Sequence, residues 1–329
     1  MEPQIKLYLN PFNMNNFLGI DIGGTNTAFG IVSEEGEMLY SDNVSTKDFS
    51  SIDSLAEAVK KQLESSTKES YDSVGVGAPS VNRASGCIEH APNLDWGDIV
   101  PLKESFEKVF GEGVIVINDA NAAALGEKHF GDAGELNNFS VITLGTGVGL
   151  GTVIDKKLME GTNGLAGELG HLVVRRAGRE CNCGNLGCLE TYAGAAGIAL
   201  TAKEKLEFSS GGSALMSLPP SDLTPLEIFN AARKDDPVSL EVIDSVCHDL
   251  GYALSSLINL FDIENIYITG GIANSGNILR RKIEKHLKSY VLPNLRTKIS
   301  LKISTLNQTG AGILGAVAAI KEYSKEAVS

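Results

Sequence analysis

Two stretches of the chain share one pattern of hydrophobic and glycine positions. Residues 17–32 form a short apolar run, the pair Gly23-Gly24 and a second apolar run that ends at a turn. Residues 141–154 repeat this order around the glycine-rich segment 145–149. Short apolar runs that are separated by glycine and end at a turn are typical of hairpins. The repeat therefore predicts two related halves, each with a glycine-containing hairpin.

The rest of the chain alternates between short apolar runs and stretches with helical spacing. Ile52, Leu55 and Val59, for example, recur at helical intervals. The alternation predicts an α/β protein. We predict further strands at 74–76, 114–117, 266–269 and 299–304, helices near 52–63, 121–128, 238–261, 278–287 and 312–323, and a surface loop at 209–225, which is rich in Ser, Gly and Pro.

The glycine loops indicate which kind of α/β protein this is. In Rossmann and P-loop proteins the glycines lead from a strand into a helix, whereas here each loop leads into another strand. A tight hairpin still presents successive backbone N–H groups, which can bind phosphate. Each loop alone could be a structural hairpin, but two such loops favour phosphate binding. The candidate ligands in the first loop are Gly23, Gly24, Thr25 and Asn26, with Asp21 as a candidate to hold hydrated Mg²⁺.

Asn118 and Asp119 follow an apolar strand directly and precede a helix of small residues. Ligands of open α/β sheets bind at the carboxyl ends of strands. A carboxylate at this position can accept the proton of a substrate hydroxyl during phosphoryl transfer. Asp is also a frequent helix N-cap, and this motif alone slightly favours the N-cap interpretation of Asp119.

Three cysteines lie within eight residues of one another: Cys181, Cys183 and Cys188, with His171 before them. Three thiolates and one imidazole complete the tetrahedral coordination that Zn²⁺ prefers. Cysteines this close together rarely arise only as buried apolar side chains. The sequence therefore predicts a zinc site, and its four protein ligands make it structural, because no coordination position stays open.

Two carboxylates flank this zinc motif. Glu168 lies three residues before His171, and Glu190 follows the last cysteine. A neutral imidazole has two ring nitrogens, so His171 can bind zinc through one and meet a substrate hydroxyl through the other. A solvated surface position is the alternative for both carboxylates, and their place beside a metal site favours the functional interpretation.

Two other segments are weaker candidates. Asn93 follows a proline, and Pro-Asn usually marks only a turn. Gly270-Gly271 follows a predicted strand and could border a nucleoside, although the pair alone is a weak signal.

Composition restricts the classes of partner and location. The 329 residues carry a net charge of −13, with a pI near 4.9, which argues against nucleic-acid binding. The five cysteines are odd in number and clustered, so they favour a metal site in a reducing compartment over a disulfide framework. No apolar stretch has the length of a signal peptide or a transmembrane helix. We therefore predict a cytoplasmic protein with no membrane partner.

Taken together, these motifs resemble those of the ROK family (repressors, open reading frames and sugar kinases), and in particular its glucokinases. In family order they are DIGGTNT, GVGAP, APNLDW, NDANAAALGE, LGTGVGLG, GLAGELGH, CNCGNLGCLE and ITGGIA. The resemblance covers nearly the whole chain from Phe17 onward. It implies an actin-like ATPase (ribonuclease H-like) fold, in which two related lobes flank a cleft.

The resemblance also implies roles for individual residues and an arrangement of domains. ATP phosphates would contact residues 21–27 and Thr146-Gly147. Six residues would contact the sugar: Asn93, Asn118, Asp119, Glu168, His171 and Glu190. Asp119 would be the catalytic base, and four residues would bind zinc: His171, Cys181, Cys183 and Cys188. We expect an N-terminal extension at 1–16, a small lobe formed by 17–125 and about 307–329, and a large lobe at 126–306 with the second phosphate loop, the zinc site and a dimer surface. Family members are commonly homodimers.

The expected reaction is the ATP-dependent phosphorylation of a hexose, glucose above all, on its primary hydroxyl. N-acetylmannosamine, N-acetylglucosamine and fructose are alternatives, since the family phosphorylates these sugars too. After GVGAP this chain has Ser80-Val81-Asn82-Arg83 where many members have a Gly and an Asp-containing turn, and because that region borders the sugar the exact substrate stays open. A sugar-responsive transcriptional regulator is a further alternative. We do not favour it, because only about twenty residues precede Asp21, too few for a helix-turn-helix domain, and the charge is wrong for DNA.

Overall fold

The computed structural model describes residues 16–90, 94, 96–209 and 211–324, with the side chain of Gln308 left aside. Within these residues the strands are β1 (Phe17–Ile22), β2 (Asn26–Val32), β3 (Met38–Ser45), β4 (Ser73–Ala78), β5 (Val81–Asn82), β6 (Cys87–Glu89), β7 (Ile99–Val100), β8 (Ile115–Asn118), β9 (Phe139–Leu144), β10 (Val148–Ile154), β11 (Lys157–Leu158), β12 (Asn265–Thr269) and β13 (Ser300–Ile303). The helices are α1 (Ile52–Ser66), α2 (Leu102–Phe110), α3 (Asp119–Phe130), α4 (Glu190–Ala193), α5 (Ala195–Glu207), α6 (Pro225–Ala232), α7 (Pro237–Phe261), α8 (Asn277–Tyr290) and α9 (Ala311–Tyr323).

Two five-stranded sheets have the same topology. The first has the order β3-β2-β1-β4-β8, and the second has the order β11-β10-β9-β12-β13. In each, an antiparallel hairpin carries the glycine loop, and its first strand pairs in parallel with one later strand (β4 or β12), which in turn pairs in parallel with the last strand (β8 or β13). The two related halves predicted from the repeated pattern are therefore confirmed. A small three-stranded sheet, β5-β6-β7, follows the first half's β4.

Helices α3 and α9 pack between the two sheets at glycine positions. Helix α9 lies across β1 and β4, where Gly75 leaves no room for a Cβ beside the backbone of Ala316. Helix α3 packs on β10 in the same way, with Gly151 against the backbone of Ala120. The close approach brings the first turn of α3 to the edge of both glycine loops, which is where the candidate site lies.

Most of the predicted elements are present, but the loop predicted at 209–225 is only partly right. Short 3-10 helices occupy Ala214–Ser217 and Pro220–Asp222, and Leu215 is buried. Pro225 begins α6, since proline suits the first turn of a helix and Thr224 caps it. Helices α2, α4, α5 and α6 were not predicted.

The division into two lobes stays a prediction, and helix α3 contains one of its predicted boundaries. The expected boundary at 125 lies inside α3, so this helix would be shared by both lobes. Among the described residues, no helix combines the length and the apolar character needed to cross a bilayer.

Candidate active site

The first glycine loop joins β1 to β2 and carries an acidic group at its entry. The backbone N–H of Gly23 donates to the carbonyl of Asn26 at 2.9 Å, which closes the turn. Asp21 lies at the end of β1, and its carboxylate contacts Gly312 at the start of α9. Burial, together with the charge of Asp119, raises the pKa of Asp21 to about 7. The two carboxylates are therefore close enough to interact.

Asp119 begins helix α3, but it does not cap it. Asn118 is the N-cap, and its Oδ1 accepts the N–H groups of Ala120 at 3.0 Å and Asn121 at 3.2 Å. The N-cap interpretation of Asp119 is therefore wrong. The Asp119 Oδ1 also accepts the N–H of Ala120 at 2.8 Å, which fixes the orientation of its carboxylate. Burial, and to a lesser degree the charge of Glu190, raises the pKa of Asp119.

The second glycine loop joins β9 to β10 and contacts another carboxylate. The N–H of Gly145 donates to the carbonyl of Gly147 at 3.0 Å, and Thr146 is exposed at the tip. Glu190 Oε2 accepts the N–H of Val148 at 3.1 Å, and the same carboxylate touches Gly147. The first turn of α4, which begins at Glu190, is thus fixed to the loop.

Glu168 and His171 flank a short 3-10 turn near Asp119: Glu168 precedes the turn and His171 ends it. Glu168 Oε2 lies 3.8 Å from His171 Nε2, and the Glu168 side chain is 54% exposed. Partial loss of hydration raises the pKa of Glu168; His171 lowers it, and the charges of Asp119 and Glu190 raise it further. Asp119, Glu168 and Glu190 therefore form one acidic group at the edge of the two loops.

The predicted zinc ligands lie together. His171 Nδ1 is 3.6 Å from Cys181 Sγ, and Cys183 Sγ is 3.7 Å from Cys188 Sγ. All four ligand atoms lie within 4.8 Å of one another. Tetrahedral zinc with Zn–S bonds of about 2.3 Å places its sulfur ligands ~3.8 Å apart, so these residues fit the ion. Because Nδ1 faces the thiols, Nε2 of His171 is left to face Glu168 and the cleft.

A cavity of about 400 Å³ opens beside the second glycine loop. It is bordered by residues from four separate segments: Gly145, Thr146, Ala195, Pro225, Leu226, Phe229, Arg233, Gly271, Ile272, Asn274 and Ser275. The sequence pointed only to Gly145, Thr146 and Gly271 among these. Leu226 and Phe229 were missed because α6 was not predicted, although Pro after Thr at 224–225 is a helix-start signal that could have located it.

The structure describes one of the two weaker candidates, Gly270-Gly271, but not the other, Asn93. Gly270 has φ +94°, and its N–H donates to Asn307 Oδ1 at 2.7 Å, so this residue shapes the turn while Gly271 borders the cavity. Asn93 lies outside the described residues.

Residues 17–323 match the ROK family over almost the full length of the chain. The chain belongs to the ROK family. A glucokinase of Halalkalibacterium halodurans is 37% identical to this ROK protein over 308 residues, which cover 91% of this chain and 93% of that enzyme. A glucokinase of Thermotoga maritima is 36% identical over 315 residues, with 93% and 97% coverage.

A solved structure resembles this ROK protein closely. It is a ROK family glucokinase from Streptomyces griseus in complex with glucose and AMPPNP, with a TM-score of 0.82 and 32% identity, covering 92% of this chain and 98% of that one. The family resemblance and the actin-like ATPase fold predicted from the motifs are therefore confirmed.

Proposed function

We propose that this ROK protein is a glucokinase, which transfers the γ-phosphoryl group of ATP to the primary hydroxyl of glucose. The observation that carries the proposal is the position of Asp119: its carboxylate is held by the Ala120 N–H, lies close enough to Asp21 of the first glycine loop to raise the pKa of that carboxyl, and interacts with Glu168 and with Glu190, which is bonded to the second loop. The similarity to glucokinases along nearly the whole chain supports it. The alternative sugars and the regulator are not favoured.

Asp119 is the general base in this proposal. It takes the proton of the sugar hydroxyl as the oxygen attacks the γ-phosphorus and the bond from that phosphorus to the β,γ-bridging oxygen breaks. The raised pKa supports the role, because a stronger base accepts a proton more readily. Fixed orientation by the Ala120 N–H favours an in-line approach.

The sugar contacts proposed are Asn93, Asn118, Asp119, Glu168, His171 and Glu190. The hydrogen bonds of Asn118 indicate which of its atoms is available. Its Oδ1 accepts two backbone N–H groups, so its Nδ2 is left as a donor to a sugar hydroxyl. Glu168 and Glu190 are acceptors, and charged acceptors for sugar hydroxyls form strong hydrogen bonds.

Two metal ions belong to this proposal. Asp21 would hold hydrated Mg²⁺, which neutralises charge on the transferred phosphoryl group when it is bound. Four residues would hold a structural Zn²⁺: His171, Cys181, Cys183 and Cys188. That ion would fix the ring of His171, and with it the Nε2 that faces the sugar side.

The 400 Å³ cavity supports a nucleoside triphosphate as the donor over polyphosphate. Leu226, Phe229 and Ile272 make much of its wall apolar, as a base and ribose need. Among the lining residues that the structure describes, Arg233 is the only cation, and its guanidinium donates to Asn230 Oδ1 at 2.8 Å and to the carbonyl of Ser275 at 3.2 Å. A polyphosphate chain would need several unengaged cations along this wall.

The arrangement of the chain is also part of the proposal. Residues 17–125 and about 307–329 would form a small lobe, and 126–306 a large lobe, with a cleft at the glycine loops. Packing of α9 on β1 and β4 supports the assignment of the C-terminal residues to the small lobe. A homodimer and a cytoplasmic location stay predictions.

A coupled assay of ADP release tests the proposed function. Purified protein is supplied with glucose, mannose, fructose, N-acetylglucosamine or N-acetylmannosamine, and with ATP, GTP or polyphosphate as donor; with polyphosphate, sugar phosphate is measured instead of ADP. We expect the highest kcat/KM for glucose with ATP. Turnover of an N-acetylated sugar above that of glucose would contradict the assignment, as would a lack of turnover with every hexose.

A further inference from the structure

The loop that carries Glu168 and His171 has few regular backbone hydrogen bonds. Gly161, Gly164 and Gly167 all have positive φ angles, of +76°, +73° and +99°. One hydrogen bond closes its first part, from the N–H of Ala166 to the carbonyl of Glu160 at 3.0 Å. Its far end leads into His171 and the cysteine cluster. Because Glu160 accepts the hydrogen bond that closes the start of the loop, the position of that start depends on the contacts of Glu160.

Arg83 holds Glu160 from the other half of the chain. It lies just after β5, in the small sheet of the first half, 77 positions before Glu160. Its Nε donates to Glu160 Oε1 at 2.8 Å and its Nη2 donates to Oε2 at 3.0 Å, so the pair is bidentate. The guanidinium also stacks on the ring of Tyr323 in α9, 3.9 Å from its centroid.

Two properties distinguish this pair from an ordinary surface ion pair. The side chains of Arg83 and Glu160 are only 35% and 26% exposed, so water screens them incompletely. Planar, bidentate geometry and stacking on an aromatic ring are contacts that arginine makes and lysine cannot reproduce.

The neighbour of Arg83 contacts the same loop at a second place. Asn82 Oδ1 lies beside Gly164: a Cβ added to Gly164 would be only 3.2 Å from this oxygen. The same Oδ1 accepts the N–H of Ala84 at 3.1 Å, which fixes the side chain. Asn82 and Arg83 thus meet the loop at its tip and at its start.

We propose that Arg83 and Glu160 are positioning residues for the hexose site. Their ion pair ties the start of the loop to the first half of the chain, while the cysteine cluster ties its end. Without the pair, the loop spends less time in the arrangement that presents Glu168 and His171 to the sugar. Apparent sugar affinity then falls in proportion to that fraction of time. The nucleoside cavity and Asp119 lie on other segments, so ATP binding and the chemical step keep their geometry. This inference rests on the proposed kinase function.

The test compares Arg83→Gln, Arg83→Lys and Glu160→Gln with the exchanged pair Arg83→Glu/Glu160→Arg, all in the full chain. Arg280→Gln is the matched control, because Arg280 and Glu284 form another partly buried pair (27% and 26% exposed) on α8, which carries none of the proposed sugar contacts. We expect the three single variants to raise the KM for glucose about fivefold or more. The KM for ATP and the kcat at saturating glucose should stay within about twofold of wild type. The exchanged pair should recover part of the loss.

Hydrogen exchange of residues 161–168 in the ligand-free protein gives a readout that does not depend on activity. We expect faster exchange there in Arg83→Gln, with wild-type rates in Arg280→Gln. A glucose KM within about twofold of wild type, or unchanged exchange in this loop, would overturn the inference. A third outcome would also overturn the inference: the KM for glucose and the KM for ATP rise equally, the Tm falls, and the exchanged pair recovers nothing. That pattern indicates general destabilisation of the fold. Failure of the kinase proposal is distinct, because wild type itself would then release no ADP with any hexose.

Discussion

Glu190 accepts the backbone N–H of Val148 at 3.1 Å, with Gly147 directly against the same carboxylate. A proposed sugar contact is therefore fixed to the loop that is proposed to bind phosphate. An added methyl group at Gly147 would collide with the Glu190 carboxylate. Movement in either group must shift the other.

We expect Gly147→Ala to raise the KM for glucose and the KM for ATP together, each about tenfold, because one displacement disturbs both sites. Steady-state kinetics with each substrate varied in turn measure this. Gly145→Ala is the comparison, since a Cβ there meets nothing within 4 Å, and its loss should be clearly smaller. A change in only one of the two KM values for Gly147→Ala would contradict the link.

Asp119→Asn tests the proposed base. The amide keeps the shape of the side chain but cannot take the hydroxyl proton, so kcat should fall about a hundredfold or more. Glucose binding, measured by calorimetry without ATP, should persist, because Asn118, Glu168 and Glu190 remain. Turnover within about tenfold of wild type would rule out Asp119 as the base.

Zinc content tests the cysteine cluster. We expect about one zinc per chain by elemental analysis of protein purified without chelators. Cys183→Ser should lower the zinc content, the Tm and the affinity for glucose, since His171 and Glu168 lose their anchor. Cys87→Ser is the matched control, because Cys87 lies outside the cluster. Full stability and glucose affinity in zinc-depleted Cys183→Ser would show that no ion holds this loop.

The raised pKa of Asp21 gives stability a pH dependence. In the unfolded chain this carboxyl ionises near pH 4, whereas in the fold it keeps its proton up to about pH 7. Its contribution is therefore full below about pH 4 and is lost as the pH rises through about 7. In magnesium-free buffer, Asp21→Asn should be the more stable protein at about pH 8, by roughly 1 kcal/mol or more, with a smaller difference near pH 5.

Urea unfolding of wild type and Asp21→Asn across this range measures the effect. Parallel pH profiles would show that Asp21 is not perturbed in the fold. The same variant should lose turnover, because the amide cannot hold Mg²⁺ as a carboxylate does.

Much of the site could be predicted because its signals are local. The glycine hairpins and the three clustered cysteines are each a short continuous segment, so one stretch of sequence contains the whole motif. The role of Asp119 was harder, since its own motif suggested an N-cap. The structure rules out the N-cap, because Asn118 takes the capping bonds itself, and the role of Asp119 as the base stays a prediction.

The parts that could not be predicted arise from contacts between distant segments. The walls of the cavity beside the second glycine loop come from both sides of the cysteine cluster, and no short pattern joins Ala195, Leu226 and Ile272. Arg83 and Glu160 are each an isolated charge in the sequence, which usually means a solvated surface residue. Only the packing of the small sheet beside the loop after β11 reveals them as a pair.

Leu226 tests the cavity as the nucleoside site. Its side chain is 65% exposed, so a substitution costs the fold little, yet it borders the cavity beside the second glycine loop. Leu226→Asp removes apolar contact with the base and adds a negative charge near the phosphates, so the KM for ATP should rise about tenfold. The KM for glucose and the Tm should not change. Leu292→Asp, at a residue that is 55% exposed and does not border the cavity, is the control. If the KM for ATP is the same in Leu226→Asp, Leu292→Asp and wild type, the nucleoside binds at another place.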